Sequence, residues 1–192
     1  MKSLFLLFLT IAVTNSGMSQ NRIEYSINDN WKFHVGGLAF AQRANVKGYP
    51  IPVDELWETV SIPHTWNADD PFDDSESYRR GIGWYRKNIS LSENLKNKKI
   101  YLHFEGANQV ADVYVNGAFA GSHKGGYTAF TIDISKHSRF GEENLIAVKV
   151  DNSHSNVIPP LSVGFGLYGG IYRDVWLVAT DLVHFGMHNH GS

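Results

Sequence analysis

The chain contains no cysteine, which excludes a disulfide framework, a thiolate nucleophile and any cysteine-ligated metal site. It also lacks a basic surplus: 17 Lys and Arg stand against 19 Asp and Glu, for a formal net charge of −2 over 192 residues. That balance removes the electrostatic footprint expected of a nucleic-acid-binding protein. The basic groups Arg79-Arg80 and Lys96-Asn97-Lys98-Lys99 stand between neutral segments and do not read as a membrane-binding surface. The longest apolar run, Leu4 to Val13, is too short for a spanning helix, which needs about 20 residues. Hydrolase signatures are missing as well. No serine sits in a GxSxG elbow, no histidine pair forms HExxH or HxxEH, and Gly81-Ile82-Gly83 is too short a glycine signal for a phosphate cradle.

What is present begins with an ordered N-terminus. Lys2 precedes the apolar run, and the small and polar residues Thr14 to Ser19 follow it. This is the order of a secretory signal peptide, with Gly17 and Ser19 at the −3 and −1 positions of a cleavage site before Gln20. The alternative is a buried N-terminal helix or strand. The expected organisation is a signal peptide over 1–19, one domain over 20–180, and the start of a linker or further domain over 181–192. The expected location is secreted or periplasmic.

Past the leader, apolar residues recur with period two. Ile100, Leu102 and Phe104 alternate with Tyr101 and His103, and Ala111, Val113 and Val115 with Asp112 and Tyr114. The same holds for Phe130, Ile132 and Ile134, and for Ile146, Val148 and Val150. Each set places apolar side chains on one face of a strand. Further strand candidates are Trp31 to Val35, Trp57 to Ile62, Trp84 to Leu91 and Asp174 to Ala179. Gly, Asn, Asp and Pro between these runs give the spacing of a sandwich or barrel. The fold class is therefore all-β, an antiparallel sandwich of roughly eight to ten strands arranged as a jelly roll. Asn116-Gly117 reads as a type I′ turn between Ala111–Val115 and Phe119–Ser122, because both residues tolerate positive φ.

Residue by residue, no catalytic set emerges. Asp69, Asp70, Asp73 and Asp74 could act as paired carboxylates or hold calcium, but a solvated acidic loop explains them more simply. His64 and Trp66 could stack on a substrate, or end a strand by packing. His184, His188 and His190 could form a metal-binding tract, or belong to a segment leading onward. Glu105 follows a strand without a partner in sequence.

Four stretches in series carry more. VSIPHTWN (60–67), YRRGIGWYRK (78–87), HFEGANQVADVYVNG with HKGGYTAF (103–130) and YGGIYRDVWL (168–177) together resemble the N-terminal sugar-binding jelly roll of glycoside hydrolase family 2, in its β-galactosidase-like branch. The resemblance implies a non-catalytic domain of an exported, retaining glycosidase acting in carbohydrate degradation. Two glutamates of a later (β/α)8 barrel would carry the chemistry, and this chain would hold no catalytic residue. It implies no cofactor and no metal here. The partners would be a β-galactoside or related oligosaccharide and the downstream domains. By motif position the substrate-edge residues would be Tyr78, Arg79, Arg80 and Phe165, with Arg80 able to take a sugar hydroxyl or carboxylate, or a salt bridge to Asp73, Asp74 or Glu76. Many members carry an acidic residue shortly before G-G-I. Ser162-Val163-Gly164-Phe165-Gly166 has none, which puts a cation role for this domain in doubt. The competing readings are a free-standing carbohydrate-binding module and an extracellular interaction domain.

Overall fold

A computed structural model describes residues 22–43, 57–70, 78–159, 161 and 168–187. The expected leader over 1–19 and the segment 188–192 lie outside them. Among the described residues ten strands form two sheets, with two short 3-10 turns at Glu93–Leu95 and Ser135–His137. The strands are β1 (Ile23–Ser26), β2 (Trp31–Val35), β3 (Glu58–Val60), β4 (Ile82–Ser90), β5 (Lys99–Phe104), β6 (Val110–Val115), β7 (Ala118–Lys124), β8 (Phe130–Asp133), β9 (Glu143–Asp151) and β10 (Val175–Thr180). The smaller sheet runs β1-β10-β5-β8 and the larger β3-β2-β4-β9-β6-β7. Every neighbouring pair is antiparallel. This is the sandwich that the alternation predicts.

The period-two pattern sets what each sheet contributes between the layers. Ile100, Leu102 and Phe104 pair in register with Ala179, Leu177 and Val175, and all six are buried. Phe104 stacks on Phe130 with ring centroids 4.7 Å apart and planes 8° apart. From the other sheet come Ala111, Val113, Val115, Ile146, Val148 and Val150, with Trp31, Phe33 and Tyr85. Burial of this many apolar side chains, at about 25 cal/mol per Å² removed from water, drives the two sheets together.

The larger sheet has a second layer that alternation alone does not reveal. Trp84 and Tyr85 point to opposite faces, yet both are buried. Tyr85 belongs to the inter-sheet core. Trp84 joins Ala41, Trp57 and Ala147 in a separate cluster, with Leu38, Ile82 and Tyr114 against it. The segment after β2 folds back over the sheet and brings Leu38 and Ala41 onto positions that would otherwise face water. The Arg86 guanidinium lies 5.2 Å from the Trp57 ring centroid, where cation and ring attract.

Asn116 and Gly117 form the expected two-residue hairpin turn, with φ of 52° and 83°. Their positive φ matches the type I′ geometry. A side chain at Gly117 would be strained there and would also meet Arg43 Cγ at 3.3 Å. Gly117→Val is therefore expected to lower stability by about 1–3 kcal/mol, read as a fall in the thermal midpoint. An unchanged midpoint would contradict this account of the turn.

Candidate functional site

The end of β5, the start of β6, the end of β9 and the starts of β4 and β10 all lie at one end of the sandwich. Irregular segments therefore converge there, and their backbone groups need partners that strand pairing does not supply. Part of the answer is a miniature ladder. His64 N donates to Ile171 O at 2.8 Å and Trp66 N to Gly169 O at 3.3 Å. On the other side Asn108 N donates to Gly170 O at 3.0 Å, and Gly170 N returns to Asn108 O at 3.3 Å.

Trp66 locks this ladder onto the larger sheet. Its ring stacks on Phe33, with centroids 5.9 Å apart and planes 13° apart, between Gly83 and Gly169. A Cβ at Gly83 would lie 2.5 Å from the indole, and one at Gly169 2.1 Å from it. Only glycine admits that approach, so Gly83 serves packing rather than phosphate binding.

Three buried asparagines complete the closure. Asn67 Nδ2 donates to Asp70 Oδ2 at 2.6 Å and to Arg79 O at 2.8 Å, while its Oδ1 accepts from Gly169 N at 2.6 Å. Asp70 Oδ2 also accepts from Arg79 N at 2.7 Å. Asn108 Nδ2 donates to Tyr168 O at 2.9 Å. Asn152 Oδ1 accepts from Gly81 N at 2.8 Å. These bonds fix residues 78–81 against 168–170. The result is a rim on which Tyr78 and Tyr168, each 41% exposed, meet edge to face with centroids 6.5 Å apart and planes 89° apart. Arg79 is exposed and Arg80 half-buried beside them. Such a rim offers aromatic faces and charge-fixed donors, the groups that hold a sugar ring and its hydroxyls or carboxylate.

Tyr78, Arg79 and Arg80 thus come together with Tyr168. Phe165 lies outside the described residues, as do Asp73, Asp74 and Glu76. Asp70 is a loop brace rather than a free carboxylate. Glu105 Oε1 accepts from Trp176 Nε1 at 3.0 Å, so its role is structural. His184 lies between the Tyr101 hydroxyl, 2.8 Å from Nε2, and Asp181 O, 2.9 Å from Nδ1. His188 and His190 fall outside the described residues. Among the described residues no three His, Asp or Glu side chains converge to hold a metal. Sequence reasoning missed Asn67, Asn108 and Asn152. Each is one polar residue among others in a loop, and its only signal is its place inside the four motif stretches or beside the end of β9.

His64 packs rather than reaching outward. Its ring lies 4.6 Å from Phe33, and its Nδ1 is 2.8 Å from the Tyr85 hydroxyl. Burial pushes its pKa below the ordinary value of 6.5, against a smaller opposing pull from the charge of Glu58. Burial likewise drives the Tyr85 hydroxyl far up.

With this geometry, comparison with known proteins gives a consistent result. The family described as "Glycosyl hydrolases family 2, sugar binding domain" matches residues 25–181. A putative beta-glucuronidase of Formosa agariphila is 40% identical over 188 residues, covering 94% of this chain and 22% of that protein. A beta-galactosidase of Thermoanaerobacter pseudethanolicus is 43% identical over 160 residues, covering 81% of this chain and 21% of that protein. Among solved structures, a beta-glucuronidase of Bacteroides uniformis superposes with a TM-score of 0.79 at 40% identity, over 90% of this chain and 19% of that one. The chain spans about a fifth of the length of these relatives.

The depressed pKa of His64 has a consequence for stability. The unfolded chain takes up a proton near pH 6.5, while the folded chain resists until the pH is lower. Stability from the neutral, packed imidazole is therefore full above that pH and is lost as pH falls through the folded value. His123, whose pKa burial also lowers, adds in the same direction. The thermal midpoint is expected to drop between pH 7.5 and 5.5, and His64→Gln to flatten that slope; an equal slope in the variant would contradict it.

Proposed function

Because the chain belongs to glycosyl hydrolase family 2 as its sugar binding domain, we propose that it supplies one edge of the substrate pocket of a retaining β-glycosidase. In this reading Arg80 bonds a sugar hydroxyl or carboxylate, Tyr78 and Arg79 border the same subsite, and Phe165 is a further substrate-edge candidate by motif position. The two catalytic glutamates come from a barrel domain of about 250 residues, one acting as acid/base and the other as nucleophile. The chain by itself then performs no hydrolysis. The observation that carries this reading is the rim at 78–81 and 168–170, rigidly tied by Asn67, Asn108 and Asn152, on a domain whose relatives are glycosidases. The substrate we assign is a β-galactoside. A β-glucuronide is the second reading, favoured by the relatives named beta-glucuronidase and by the suitability of an arginine fork for a carboxylate.

The 192-residue chain is expected to leave every nitrophenyl glycoside intact. The longer protein is expected to cleave nitrophenyl β-galactoside, or the β-glucuronide under the second reading, with retention of anomeric configuration. Arg80→Ala in that protein should lower kcat/KM by about 1–3 kcal/mol of transition-state stabilisation, the scale of one charge-assisted hydrogen bond, with an unchanged thermal midpoint. Turnover by the chain alone would overturn the assignment. An early-melting variant with normal kinetics would make Arg80 a structural residue.

We also propose export. The order Lys2, Leu4–Val13, Thr14–Ser19 supports cleavage before Gln20. Mass spectrometry of the secreted or periplasmic protein is expected to find Gln20 at the N-terminus, and recovery of the Met1 form there would contradict it.

A further inference from the structure

The opposite end of the sandwich holds a feature that the glycosidase reading does not use. Between the start of β5, the end of β8 and the chain after β10 lies an open hollow of about 650 Å³, a volume within the range of roughly 300–1,000 Å³ typical of small-ligand sites. Four lysines line it: Lys96, Lys98, Lys99 and Lys136. In a chain whose net charge is −2, this is a local concentration of positive charge drawn from two segments, 96–99 and the turn at Ser135–His137.

The charges do not cancel within the hollow. Lys98 pairs with Asp181 at 2.8 Å and Lys99 with Asp133 at 3.1 Å. Among the described residues no carboxylate pairs with Lys96 or Lys136, and both are exposed. Asp133, the one acid in the lining, is fully engaged. Its Oδ1 accepts from Ser135 N at 2.9 Å and Ser135 Oγ at 2.6 Å, and its Oδ2 takes Lys99. The Ser135 hydroxyl in turn accepts from Ile100 N at 2.9 Å, so the wall carrying Lys136 is tied to β5 before any ligand arrives. Phe140 and Leu182 also line the hollow, and Leu182 is 65% exposed. Ammonium groups beside apolar surface suit a ligand with anionic substituents on a ring that has a C–H face.

We propose that this hollow binds an acidic oligosaccharide, its carboxylates taken by Lys96 and Lys136 and a sugar ring resting against Phe140 and Leu182. The choice of a saccharide over another anion rests on the family's sugar-binding role; the choice of an acidic one rests on the lysines alone. Lysine is a compact point charge on a flexible stem, which suits carboxylates spaced along a chain. The attraction is exposed to solvent and must weaken as salt shortens the screening length.

The test uses the 192-residue chain, with binding measured by calorimetry or affinity electrophoresis. The probes are an oligogalacturonate, its methyl-esterified and therefore uncharged counterpart, inorganic sulfate, and a single-stranded oligonucleotide of equal charge. The oligogalacturonate is expected to bind at about 0.02 M salt and to lose most of its affinity at about 0.5 M. The methyl ester, sulfate and oligonucleotide should bind far more weakly. Lys96→Ala/Lys136→Ala should weaken binding by about tenfold, the factor expected for two lost charge-assisted contacts at a solvated site. Lys32→Ala/Lys124→Ala, which removes the same charge elsewhere, should leave it unchanged. Failure of the wild-type chain to bind, or equal loss in both double variants, overturns the proposal. Equal binding of sulfate assigns the hollow to a free anion, and equal binding of the oligonucleotide to charge alone; either overturns it too. Hydrolysis by the longer protein is read separately, so the failure of one reading leaves the other standing.

Discussion

A buried amide must have its hydrogen bonds made within the protein, and this requirement organises both ends of the molecule. Leaving one such group unpaired costs about 1–3 kcal/mol, a large part of the stability of a domain this size. Strand pairing satisfies the middle of each sheet but stops where the chain turns away. At one end Asn67, Asn108 and Asn152 take over, Asn108 through its Nδ2 alone, its buried Oδ1 having no protein partner among the described residues. At the other, Asn116 and Asn144 do so: Asn116 Nδ2 reaches His137 O and Asn144 Oδ1, and Leu145 N donates to Asn116 Oδ1. Asparagine suits this work because one short side chain both donates and accepts. A single residue can therefore tie two loops that are distant in sequence.

The consequence for binding is preorganisation. A rim residue on a mobile loop loses conformational freedom when a sugar binds, and that loss subtracts from affinity. Residues 78–81 have already lost it. Arg79 is held through both its N–H and its C=O, and Gly81 through its pairing with Asn152. Tyr168 is held by Asn108 and Gly169 by Asn67. Trp66 adds the same restraint from the apolar side, since its fit between Gly83 and Gly169 leaves no room for the segments to slide apart.

Much of the fold was legible because alternation reports directly on which face is dry. The strands with strong period-two patterns, β5, β6, β8 and β9, appear where the sequence puts them. β1 was not legible. It is a four-residue edge strand with mostly exposed side chains, so its identity comes from pairing with β10 rather than from its own pattern. The second layer over Trp84 and Ala147 was hidden for a different reason. Alternation shows that these positions face away from the inter-sheet core, not that Leu38 and Ala41 return to cover them. The site divided along similar lines. Tyr78 and Arg80 were found through a motif series, whereas the asparagines that hold them carry no periodic signal. Their partners are 102 residues away in the bond from Gly169 to Asn67 and 71 in that from Gly81 to Asn152, beyond the reach of local pattern.

The two ends of the sandwich also differ in what they present, and the difference follows from how each is closed. At the end carrying Tyr78 and Tyr168, the loops are drawn inward by buried amides, and the exposed remainder is aromatic and arginine-rich. At the lysine-lined end, the bonds of Asn116 and Asn144 are joined by two short 3-10 turns and by Asp133, whose carboxylate is used up within the wall. Burial alone would raise the Asp133 pKa, but the bonds from Ser135 and the Lys99 ammonium outweigh it and hold the carboxyl below its ordinary range. An acid that stays charged and internally satisfied neutralises one lysine and no more. The ammonium groups of Lys96 and Lys136 keep their charge for solvent or for a ligand, and a strand-to-turn junction built for structure leaves a positive surface behind.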